Sequence, residues 1–87
     1  PPLAPAQEAQ VDLLSAALRL IAAQHQLAPG MLGSRKDLEK LVRHQRNTRL
    51  LEGWRKTVAG APLQQILMGD AQVVNRLGGP RIEGVDD

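Results

Sequence analysis

Residues 6–26, AQEAQVDLLSAALRLIAAQHQ, are apolar around most of a helical wheel, and this limits the possible folds more than any other stretch. Val11, Leu14, Ala17, Leu18, Ile21 and Ala22 recur at helical spacing and form one apolar face. Leu13, Ala16, Leu20 and Ala23 form a second, leaving Glu8, Asp12, Ser15, Arg19 and Gln26 as a narrow polar strip. Such a helix is expected at the centre of a domain, covered from two sides. Pro5, whose ring fixes a helical φ, is placed to start it.

The remaining punctuation predicts more short helices around it. Pro29, Gly30 and Gly33 break the pattern in LAPGMLG, where a tight connection or single turn would point Leu27, Met31 and Leu32 inward. Ser34 followed by Asp37 resembles a capping box, with Asp in place of Glu. The helix it opens, about 35–46, would bury Leu38, Leu41, Val42 and Gln45. Asn47 or Thr48 can cap the next helix, which runs to Ala59 and stops at Gly60. Its apolar face is Leu50, Leu51, Trp54 and Val58, so Trp54 is expected in the core, with Arg49, Glu52, Arg55 and Lys56 opposite. A last short helix begins with Pro62 at its first position, buries Leu63, Ile66 and Leu67, and ends at Gly69. Asp70 can cap one further turn or two through Leu77, closed by Gly78, after which GPRIEGVDD shows no periodicity.

The chain therefore reads as all-α: a compact bundle of four to five short helices with flexible termini. Residues 1–5 are a Pro-rich linker, 6–69 the helical domain, and 70–87 a largely mobile extension. Opening on a linker suggests a piece from the C-terminal side of a longer protein. With 87 residues the chain suits a single modest core, burying roughly 60–65% of its unfolded surface. The absence of cysteine excludes disulfides, thiolate metal sites and a cysteine nucleophile. No apolar run approaches the roughly 20 residues that span a bilayer, so a cytoplasmic monomer is expected.

Charge singles out one element. Between residues 35 and 56 stand eight bases (Arg35, Lys36, Lys40, Arg43, Arg46, Arg49, Arg55, Lys56) and three acids (Asp37, Glu39, Glu52), although the whole chain carries only +2. Lys36, Lys40 and Arg43 fall within about 60° on the wheel, flanked by Arg35 and Arg46, with Glu39 as an intrahelical partner for Arg35 and Arg43. Lys36 and Lys40 form a like-charge i,i+4 pair, which costs a few tenths of a kcal/mol unless a counter-charge covers it. A solvated face kept soluble by charge is the simpler explanation. A patch that neutralises phosphates is the functional one, and it assigns nucleic-acid contacts to Arg35, Lys36, Lys40, Arg43, Arg46 and Arg49. With so few cations and Trp54 expected inside, binding should be weak and salt-sensitive, on the order of 10⁻⁴ to 10⁻⁶ M.

Catalysis has little to build on. Six of the nine acids lie near the chain ends, at Glu8, Asp12, Asp70, Glu83, Asp86 and Asp87, and no P-loop or nucleophile with its base can be assembled. His25 and His44 lack acidic or histidine partners at ligand spacing, so neither a metal site nor a cofactor is expected.

LAPGMLGSRKDLEKLV followed by LEGWRKTVAGAPLQQIL resembles the HRDC family, the helicase and RNase D C-terminal domain, and most of all its copies in bacterial ribonuclease D. The family's L-x-P-x-x-L, S-R and leucine-spaced helix fall on Leu27, Pro29, Leu32, Ser34, Arg35, Leu38 and Leu41. Its later G-W-R and G-x-x-L fall on Gly53, Trp54, Arg55, Gly60 and Leu63, so the likeness covers about residues 6–69. It implies a bundle of about five helices that helps a parent enzyme engage nucleic acid. In ribonuclease D that parent is a metal-dependent 3′–5′ exoribonuclease trimming structured RNA ends such as tRNA precursors, with catalytic acids in a separate domain. The implied partners are RNA and the parent catalytic domain. The 70–87 segment departs from the family boundary, and its acids could fold over the basic helix. A DNA-binding domain of a RecQ-type helicase and a protein-interaction or spacer module are the rival readings.

Overall fold

The computed structural model of the chain describes residues 1–85. Helix α1 (Pro5–Gln24) opens with proline at its first turn, and the Gln7 side-chain carbonyl accepts the Ala4 amide at 3.0 Å. It buries Val11, Leu14, Ala17, Leu18, Ile21 and Ala22, the first of the two apolar faces. Its other apolar face is a correction. Ala16 and Ala23 are exposed and Leu13 remains 43% exposed, because the later elements gather on one side of α1.

Gln26 takes φ 57° just past the helix, while the Gln26 and Leu27 amides donate back to the Ala23 and Ala22 carbonyls. These paired bonds close α1 in a Schellman motif, with glutamine where glycine is usual. A single turn, α2 (Pro29–Leu32), then buries Leu32 and leaves Met31 exposed, against expectation.

Helix α3 (Arg35–Val42) lies back along the first half of α1: Arg35 meets Asp12, and Arg43 reaches the Pro1 carbonyl. It inserts Leu38, Leu41 and Val42 into the core. The helix is four residues shorter than its periodicity predicts. His44 adopts φ 60°, its amide donates to Leu41 and that of Gln45 to Lys40, so a second Schellman motif turns Gln45 to solvent.

A 3-10 turn, Arg49–Leu51, follows, capped by Thr48, whose hydroxyl accepts the Leu50 amide at 3.3 Å. The chain then breaks at Gly53, φ 55°, rather than at Gly60. From there α4 (Gly53–Arg55), a π-helical turn (Lys56–Gly60) and α5 (Ala61–Leu67) run on with right-handed helical backbone across both junctions. Pro62 explains the wide turn. It has no amide to donate, and in a regular α-helix its ring would crowd the carbonyl four residues back. Extending the ladder by one residue, so that the Ala61 amide donates to Lys56, relieves this. Gly60 is therefore not a terminator; it is buried where the π turn crosses the 3-10 turn, and a Cβ there would overlap the Leu50 carbonyl. Gly33 packs on the Leu50 side chain, so Leu50 is fully buried between two glycines.

The largest departure is at the end of the domain. The helical turns expected after Asp70 are instead a hairpin, β1 (Ala71–Arg76) and β2 (Gly79–Gly84), antiparallel with Arg76 opposite Gly79 and Val73 opposite Ile82. Ala71 is buried, and Val73 and Ile82 pack on the core. Two strands alone are marginal in water, and this apolar side gives them a helical surface to lie on. The architecture is thus mostly helical with a small sheet, not wholly α. The mobile extension expected over 70–87 is replaced by this hairpin as far as Gly84; Asp86 and Asp87, the end of that stretch, lie outside the described residues. At the other end, Leu3 packs on the core and the Pro1 carbonyl holds Arg43, so the leader is docked. No helix among the described residues is long and apolar enough to cross a membrane.

Candidate nucleic-acid interface

Packing α3 through Leu38, Leu41 and Val42 turns the opposite side of the helix outward, and that side holds Lys36, Lys40 and Arg43. None of the three has an acidic partner among the described residues. The Lys40 ammonium donates to the Asn47 carbonyl at 3.0 Å, and an Arg43 guanidinium nitrogen donates to the Pro1 carbonyl at 2.7 Å. These bonds to neutral oxygens fix the two side chains without cancelling their charge. Arg43 therefore bonds to the leader, not to Glu39. Lys36 is exposed, with no hydrogen bond or ion pair from its side chain among the described residues.

The other three sequence-selected cations are placed differently. Arg35 is spent on acids, 3.1 Å from Asp12 and 3.5 Å from Glu39. Arg49 is a structural tie: its Nε donates to Asp37 at 3.1 Å and its Nη2 to the Gly30 carbonyl at 3.2 Å. Arg46 lies beyond α3 on the rim of a cleft of about 230 Å³, lined also by Leu41, His44, Gln64, Leu67 and Met68. Thus three of the six share one outward face, one lines a cleft beyond the helix, and two are paired with acids.

Asp37 organises this corner. Its carboxylate accepts the Ser34 amide (2.8 Å), the Ser34 hydroxyl (3.0 Å), the Thr48 hydroxyl (2.9 Å) and Arg49. Burial alone would push its carboxyl up, but the Ser34 amide, the Thr48 and Ser34 hydroxyls and Arg49 outweigh it and lower the pKa from 3.8 to about 2. Sequence reasoning identified the cap but not the link to Thr48 and Arg49, for which only the chain's return in space gives a signal. It also passed over the D-x-E spacing of Asp37 and Glu39. Positions i and i+2 diverge on a helix, and the two carboxylates serve separate partners. No group of three His, Asp or Glu that could hold a metal occurs among the described residues. The C-terminal acids do not cover the basic face as far as they are described, since Glu83 pairs with Arg76 across the hairpin at 2.7 Å.

Fold and surface together define a small, mostly helical module with a cationic face on α3. Over 70 residues the chain is 33% identical to ribonuclease D of Bartonella henselae (strain Houston 1), a match covering 78% of this chain and 17% of that protein. The chain thus spans less than a fifth of the relative it matches. No family model matches the chain, and no solved structure matches it.

Proposed function

We propose that the chain is a non-catalytic RNA-binding module of a ribonuclease D-like 3′–5′ exoribonuclease, an HRDC-type accessory domain that helps a separate catalytic domain hold RNA 3′ ends such as those of tRNA precursors. The observation that carries this reading is the outward face of α3, where Lys36, Lys40 and Arg43 stand together without acidic partners among the described residues. The similarity to ribonuclease D supplies the choice of RNA over other polyanions. Phosphates laid along this face would release condensed counterions and offset the repulsion between Lys36 and Lys40, with little preference among bases. Arg46 extends the contact toward the cleft, whereas Arg35 and Arg49 contribute less, since each already gives part of its charge and donors to an acid.

Reversing Lys40 and Arg43 to Glu tests this reading by titration with RNA at low salt. Binding should weaken at least about tenfold, in keeping with the loss of two phosphate contacts, while the unfolding midpoint changes little. Lys36→Glu is the companion variant, because this exposed side chain makes no bond among the described residues. Unchanged affinity in folded variants would leave the charge as a solubility device and favour the spacer reading.

A further inference from the structure

Trp54 is the chain's one aromatic side chain apart from its two histidines, and its helical position suggested core. The structure places its ring at the surface, 48% exposed. The break at Gly53 rotates α4 away from the line set by Leu50, so the ring leaves the apolar side. The Arg55 guanidinium lies over the ring, 4.6 Å from its centroid, and its Nε is held by the Met31 carbonyl at 2.8 Å. The Arg49 guanidinium bonds the preceding carbonyl, that of Gly30. Two guanidinium groups are therefore anchored on consecutive carbonyls of α2, and the Arg55 group is the one that covers the tryptophan. Arg49 also joins this patch, through Asp37, to the helix that carries Lys36 and Lys40. Exposed Lys56 follows Arg55, and Glu52 is the one acid between Arg49 and Lys56.

An apolar protein partner laid on this patch would have to desolvate Arg55 and Lys56, which it could not pair. A polyanion with flat rings meets both demands, since phosphates neutralise the cations and a base stacks on the indole. We infer that Trp54, backed by the Arg55 guanidinium, is a stacking platform for an unpaired nucleobase, so that the surface selects single-stranded over duplex RNA. The inference rests on the RNA-binding reading and adds to it a second contact of a different kind. A duplex keeps its base faces stacked inside and can offer this patch only its backbone.

The single tryptophan and the absence of tyrosine make the intrinsic fluorescence of the 87-residue chain a report on Trp54 alone. The chain is titrated with a single-stranded RNA oligonucleotide, the same sequence as duplex, and inorganic polyphosphate, which has charge but no bases. Single-stranded RNA should quench the emission, and polyphosphate should compete for the chain without comparable quenching. Trp54→Leu should lower affinity for labelled single-stranded RNA at least about fivefold, leave polyphosphate affinity unchanged and abolish the preference over duplex. Trp54→Tyr should retain most of the affinity. Equal quenching by polyphosphate, equal binding of duplex, or wild-type RNA affinity in Trp54→Leu would each overturn the inference; the first two are read on the unaltered chain and need no variant to fold. A chain that binds neither RNA nor polyphosphate would refute the accessory-module reading itself, and this inference with it.

Discussion

Gly60→Ala should be among the most damaging single-methyl additions to this domain. Gly60 is buried with right-handed helical backbone, φ −58° and ψ −48°, a conformation in which alanine normally stabilises a helix. Taken alone that exchange would contribute about 0.5–1 kcal/mol in favour of alanine. The tertiary structure reverses the sign. A Cβ would overlap the Leu50 carbonyl oxygen, stand 2.9 Å from the Leu50 carbonyl carbon and 3.3 Å from Leu51 Cδ2. Two of the three obstacles are backbone, so relief requires moving the π turn off the 3-10 turn, whose Leu50 is fully buried. Overpacking of this kind costs about 3 kcal/mol, so the net loss should be about 2 kcal/mol or more. For a chain of this size that corresponds to a fall in Tm of roughly 8–16 °C. Thermal unfolding followed by far-UV circular dichroism and urea titration read the effect, with a lower midpoint at unchanged slope. Gly30→Ala is the control, since nothing lies within 4 Å of its Cβ position, and it should be neutral or slightly stabilising. A Gly60→Ala protein whose midpoint stays within about 2 °C of wild type would show that the crossing has slack.

Asp37 gives a pH signature. Its folded pKa lies below its unfolded value, so its contribution of about 2 kcal/mol is present above pH ~4 and is lost as pH falls toward ~2. Asp37→Asn should remove that acid limb and lower stability at neutral pH by a similar amount, measured by urea unfolding across pH; an unchanged acid limb would contradict the assignment. Trp54→Ala should cost about 1–2 kcal/mol rather than the 3–5 typical of a buried ring, read by the same titration, because half of the ring is already in water. Gln26→Gly should raise stability by about 0.5–1 kcal/mol, since the residue sits at φ 57° where glycine carries no Cβ penalty, and a loss of stability would count against the Schellman geometry. RNA affinity should fall with salt at a slope of about −2 to −3 in log–log form if three or four phosphates are neutralised on a single strand; a flat response would exclude the α3 face as the contact.

What could be read from the chain alone was local. The buried face of α1 is the set Val11 to Ala22 that helical periodicity selects, because one turn of helix fixes which side chains share a side. The Ser34–Asp37 cap and the Thr48 cap were equally legible, since each is completed within three residues. The outward grouping of Lys36, Lys40 and Arg43 followed from the same periodicity once the leucine stripe was assigned to the core. The hairpin was not legible: Ala71, Val73 and Ile82 make too short an alternation, and the paired glycines after Leu77 read as a stop when they also allow a tight turn.

Tertiary structure decided which cations keep their charge available and which glycine is indispensable. Arg35 and Arg49 look like Lys36 and Arg43 in sequence, yet Asp12 reaches Arg35 from 23 residues away, in addition to the local Glu39, and Asp37 reaches Arg49 from 12. Gly60 looked like a helix stop, yet it is required by a backbone carbonyl ten residues earlier, and Trp54 looked like core until Gly53 turned it outward. Periodicity and capping are settled within one or two turns of the chain. Charge pairing and close backbone approach depend on how distant segments meet, which is set only when the elements have packed.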